Sequence, residues 1–209
     1  VTTTDRTKPG TMRTAAVTAV ALGLPLGAVT FALQLTPFGL VANSPAFWAL
    51  WGFAAGAVVA VPVAGVLTAM ATEAFGLLAW YAISWATGNF EWSAGGVLAL
   101  GWGVGAVLAG TVFGLAGVWW RTQARRPRLE IATALPAAVF ACASVYYFVV
   151  LDYVGTGVYN AVVALLLLTF LPRTGQARVR AAGAVVPIIV VGLLGGAAFV
   201  AFLNAVAMS

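Results

Sequence analysis

The chain has 209 residues, 63% of them hydrophobic and 7% charged, with a net charge of +5 and no histidine. A soluble domain carries about 25% charged residues to keep its surface wet, so this composition excludes a water-soluble globule and points to helices that face lipid. The missing His and the single Cys142 also exclude a disulfide within the chain, Cys/His zinc sites, haem ligation by His, and Ser-His or Cys-His nucleophile chemistry.

Residues 1–14 carry Arg6, Lys8 and Arg13 and read as a polar tail. Val1 fits a GTG start translated literally. The high Arg-to-Lys ratio, with Ala, Gly and Val abundant, fits a GC-rich bacterial genome. A membrane-spanning helix needs roughly 20 apolar residues, and the first such run is 15–35. It has no A-x-A-like cleavage site, so no cleaved signal peptide is expected. Thr36-Pro37 ends it, and a loop follows over 38–45.

Residues 46–87 are too long for one crossing, because as a single helix they would run about 63 Å, twice the bilayer core. No charge marks a turn there, but Val61-Pro62-Val63-Ala64-Gly65 combines a helix breaker with a flexible residue. Spans over 46–61 and 64–86 follow. Further spans are expected over 95–119, 131–151, 158–171 and 181–207.

Basic residues cluster on the cytoplasmic side of membrane proteins, which tests the count. With seven spans, the tail and the loops 121–128 and 173–180 share one side and hold all ten basic residues. With six, the arginines of 121–128 would face the side opposite the tail. The sequence therefore predicts an all-α bundle over 15–207 in a bacterial plasma membrane. It has seven spans, a cytoplasmic N-terminus and no separate soluble domain. The positive charge reads as topology rather than nucleic-acid binding. Trp48, Trp51, Trp85, Trp92, Trp119 and Trp120 fall near span ends, where indoles anchor at the interface. Gly101-x-x-x-Gly105, Gly110-x-x-x-Gly114 and Gly192-x-x-x-Gly196 read as helix-packing motifs.

Glu73 is the most informative residue. It falls near the middle of the third span, where an ionised carboxylate is costly and an acid should face the bundle interior, paired or protonated. No span contains a basic partner, so the protonated form is expected, able to donate a proton or a hydrogen bond. The plainer alternatives are a helix-to-helix hydrogen bond, or a turn nearer Met70 that leaves Glu73 at an interface. Helical spacing puts Gly76, Leu77, Trp80 and Ser84 on its face, with Tyr81 at the edge. Such rings could cradle a cation or simply pack.

Asp152 opens Asp152-Tyr153-Val154-Gly155-Thr156-Gly157, before the shortest span. The connection could dip toward the depth of Glu73 and bring Tyr153, Tyr159 and Asn160 with it. The alternative is a solvated loop acid. Arg121–Arg128 could bind a phosphorylated substrate or anionic lipid, or serve only as a topology signal. There is no Asp-rich magnesium motif and no Walker motif, which disfavours metal-assisted diphosphate chemistry.

Asn43-Ser44-Pro45-Ala46-Phe47-Trp48 and Phe113-Gly114-Leu115-Ala116-Gly117-Val118-Trp119-Trp120-Arg121 resemble segments of small actinobacterial polytopic membrane proteins. The size, span count and Thr72-Glu73-Ala74-Phe75-Gly76 resemble the membrane-bound terpene cyclases of actinobacterial indole-sesquiterpenoid pathways. That resemblance implies acid-initiated cyclisation of a prenyl chain without metal or cofactor. Glu73 would be the proton donor or its relay, and Asp152 a second acid or orienting group. The aromatic side chains, with Ser84 and Asn160, would hold the substrate. The implied partners are membrane lipid and a hydrophobic prenylated small molecule. The length and Ala/Gly content also resemble the substrate-binding membrane subunit of a vitamin-type uptake transporter, and an accessory or scaffold role is a third reading.

Overall fold

The computed structural model describes residues 9–42 and 44–207. The helices are α1 (Pro9–Gln34), α2 (Gly39–Ala42), α3 (Pro45–Val59), α4 (Pro62–Ala86), α5 (Trp92–Arg121), α6 (Arg128–Val149), α7 (Val154–Phe170) and α8 (Gly175–Ala207). There is no strand among the described residues. Arg6 and Lys8 of the expected tail, and Asn43 of the loop, lie outside them. Helix α1 begins at Pro9, inside the stretch read as tail.

The break between α3 and α4 sits where the sequence predicts it. Ala60 takes φ 57°, in the left-handed region, and its N–H donates to the Gly56 carbonyl. Val61 is extended, as the residue before a proline must be, and Pro62 opens α4 at the position that needs no N–H donor. The seven-span expectation is corrected on length. Five helices are long and apolar enough to cross a membrane, while α3 and α7 are shorter apolar helices over Pro45–Val59 and Val154–Phe170. The proline break ends α3 two residues before the expected span does, while α7 starts four residues before its expected span and still has only seventeen residues.

Close contacts at glycines fix the helix directions. Gly23 of α1 lies against Thr72 and Phe75 of α4, and Gly27 against Gly76 and Ala79, so α1 and α4 run parallel. Gly52 of α3 faces Gly110 and Phe113 of α5, and Gly56 faces Gly114, so these two also run parallel. Gly110 meets Met70 and Gly114 meets Val66, which makes α4 and α5 antiparallel. Glu130 pairs with Arg180, and Cys142 packs on Gly192, so α6 and α8 run parallel.

These directions bring the start of α1, the α3–α4 break and the α5–α6 and α7–α8 connections to one end. Every basic residue among the described ones lies at that end. Glu91 and Asp152 lie at the other. Of the three small-residue motifs, Gly110 and Gly114 seat α4, while Gly101 and Gly105 receive Leu203 and Phe199 of α8. Gly192 receives the Cys142 sulfur, but a Cβ on Gly196 would meet nothing within 4 Å.

Candidate functional site

Glu73 lies eleven residues into α4, about 17 Å along the helix axis, and is only 2% exposed. Two features of the sequence seat it there. Gly52 on α3 leaves room for the carboxyl group, since a Cβ on that glycine would stand 3.1 Å from Glu73 Oε1. Thr68 and Thr72 turn their hydroxyls back onto the carbonyls of Ala64 and Thr68, so they do not bond the acid. Glu73 Oε1 has no hydrogen-bond partner, and none of the ion pairs among the described residues includes it.

The carboxyl lines a cavity of about 670 Å³, within the range of small-molecule sites. One wall comes from α1 and α4, with Thr30, Gln34, Leu77, Trp80 and Tyr81. The opposite wall comes from α5 and α8, with Leu98, Trp102, Gly105, Leu108, Gly195, Gly196 and Phe199. Pro45 and Trp48 of α3 and Phe90 of the α4–α5 connection complete it. Tyr81 lies eight residues beyond Glu73, about 12 Å further from the basic end.

The rings form two groups. Tyr81 stands 4.8 Å from both Trp80 and Phe90, centroid to centroid, and Phe90 is 5.0 Å from Trp92. Trp102 and Phe199 meet at 5.8 Å across the α5–α8 wall. Polar atoms sit on the α1–α4 wall. Trp80 Nε1 donates to Gln34 Oε1 at 2.7 Å, while Thr30 Oγ1 is buried with no partner. The cavity is therefore apolar with rings on both walls, and Glu73 and Thr30 offer unpaired oxygens on the α1–α4 wall.

The residues expected at the site divide by location. Glu73, Trp80 and Tyr81 line one cavity. Ser84 is buried one turn beyond Trp80, with its hydroxyl oxygen unpartnered, and is not in the lining. Asp152 is an exposed corner residue with φ 54°. Tyr153 stacks on Tyr147 at 6.5 Å, and Tyr159 is 39% exposed. Asn160 is fully buried and donates from Nδ2 to the Thr156 carbonyl. None of these four α6–α7 residues lines the Glu73 cavity.

Several lining residues escape the sequence reading. Thr30 and Gln34 follow Gly23 and Gly27 at helical spacing, and that small-and-polar stripe along α1 was a usable signal. Trp48 reads as an interfacial anchor from its position, yet it donates Nε1 to the Ala42 carbonyl at 3.1 Å and lines the cavity. Trp102 and Phe199 carry no signal, because each lies inside a long apolar run. Among the described residues, no three His, Cys, Asp or Glu side chains come together as a metal site.

The model of DUF6518, a family of unknown function, matches residues 6–202, and the chain belongs to that family. No curated protein and no solved structure matches the chain. The comparisons lend no support to the likeness to terpene cyclases, which rests on the short segments quoted above.

Proposed function

We propose that the protein is a membrane enzyme that folds an apolar prenyl-type chain into the Glu73 cavity and cyclises it by proton transfer from the Glu73 carboxyl group. One observation carries this reading: a buried acid with an unpartnered oxygen and no ion pair among the described residues opens onto an apolar, ring-lined cavity. In the reaction the Glu73 O–H bond breaks as its proton passes to an epoxide oxygen or a terminal alkene carbon of the substrate. The resulting carbocation is attacked by a neighbouring C=C π bond, which closes a ring. Loss of a proton from carbon to the Glu73 carboxylate forms the product alkene and restores the acid. The sum is an isomerisation that needs no co-reactant. Ring faces stabilise the passing positive charge, and apolar walls keep water from quenching it.

The test is to incubate purified protein with prenylated and epoxidised prenyl compounds and to analyse the products. Cyclised isomers are expected. No turnover of any prenyl compound, together with tight binding of a water-soluble vitamin, would overturn the reading in favour of an uptake subunit.

The same reading puts the basic end of the bundle on the cytoplasmic side of a bacterial plasma membrane. Single cysteines at Asn89 and Gly155, introduced after replacing Cys142, are then expected to react with a membrane-impermeant maleimide in whole cells. Cysteines at Ala124 and Gln176 are expected to react only after lysis. Labelling of Asn89 and Ala124 from the same side would refute this topology.

A further inference from the structure

A second cavity lies at the basic end, about 150 Å³ in volume, where the α5–α6 and α7–α8 connections meet. Three arginines line it, Arg126, Arg173 and Arg180, against the one carboxylate of Glu130. That carboxylate is shared and held loosely. Its Oε1 stands 3.4 Å from Arg126 Nε and 3.7 Å from Arg180 Nη1. Arg180 Nη2 is buried without an acceptor, which is costly for a charged donor. Arg173 makes no ion pair among the described residues. Its guanidinium lies over the Trp120 ring at 5.5 Å, and Trp120 Nε1 is fixed on the Leu171 carbonyl at 3.0 Å.

We infer that this cavity binds a phosphate oxyanion, presented by the headgroup of an anionic phospholipid. Positive charge exceeds negative in the lining, and planar guanidinium groups match tetrahedral oxyanions through paired N–H donors. The stacked indole orients Arg173 at little entropic cost, and the bound oxygen supplies the acceptor that Arg180 Nη2 lacks. The position at the bundle's basic end is where anionic headgroups concentrate on the cytoplasmic leaflet. This site stands apart from the Glu73 cavity and does not depend on the reaction proposed for it.

The experiment titrates delipidated full-length protein with phosphatidylglycerol or phosphatidylcholine of the same chains, and reads retained lipid by native mass spectrometry. Retention of phosphatidylglycerol at least tenfold above phosphatidylcholine is expected, falling at least tenfold in Arg173→Gln and in Arg180→Gln. Arg173→Gln breaks no ion pair, so it reports even where Arg180→Gln fails to fold. Arg121→Gln and Arg125→Gln remove the same charge outside the cavity and are expected to retain the lipid. Equal losses in all four variants would show diffuse attraction and overturn the site. Displacement of the lipid by millimolar inorganic phosphate, abolished by Arg173→Gln, would assign the oxyanion to soluble phosphate and overturn the lipid source.

Discussion

Glu73→Gln is expected to abolish cyclisation while leaving the cavity able to bind an apolar chain. The amide matches the carboxyl in size but cannot deliver a proton, and removing a general acid costs about 10²–10⁴-fold in rate. Glu73→Asp keeps the acid and draws it back by one methylene, so a smaller loss is expected. Stability separates this role from a structural one. Glu73 Oε1 is buried and unpaired, and a buried polar group without a partner costs about 1–3 kcal/mol. Glu73→Leu is therefore expected to raise stability while eliminating turnover. If Glu73→Leu instead lowered the unfolding midpoint sharply, Glu73 would be a helix-to-helix strut and the proton-donor reading would fail.

The same asymmetry explains why Glu73 is legible in the sequence. An acid in the middle of an apolar run has few tolerable surroundings, so its presence alone points to an interior face. The α3–α4 break is legible for a similar reason, since Pro62 cannot continue α3 and residues 46–87 cannot cross once. The far wall of the cavity is not legible. Trp102 and Phe199 are brought together by the pairing of α5 with α8, and helical periodicity within either run says nothing about its partner. Asp152 is the opposite case, for which the sequence leaves both a buried and a solvated reading open. An acid at a helix end has a cheap exposed solution, and the corner at φ 54° takes it. The run over 158–171 is already the shortest in the sequence, and α7, though it starts four residues earlier, reaches only seventeen residues.

The largest effect on folding is expected where α3 meets α5. A Cβ on Gly56 would run into the Gly114 backbone, and one on Gly117 would run into the Phe53 carbonyl. In each case the obstacle is main chain, which cannot rotate away, so the helices must separate. Lipid offers little hydrophobic drive to pull them back, because association in the bilayer rests on close packing. Overpacking a tight contact costs about 1–3 kcal/mol, occasionally more. Gly56→Ala and Gly117→Ala should both fall at the upper end of that range, read as lowered unfolding midpoints in micelles. Gly103→Ala and Gly183→Ala, whose Cβ atoms would meet nothing within 4 Å, should fold like the wild type. The two damaging changes share one interface, so the first separation relieves part of the second. The double variant should lose less than the sum of the single losses. Additive losses would mean that the two glycines act on separate contacts. Separation also reaches the site, because Gly52 on the same α3 face holds the space beside Glu73 Oε1. Variants that still fold should thus lose turnover with Glu73 intact.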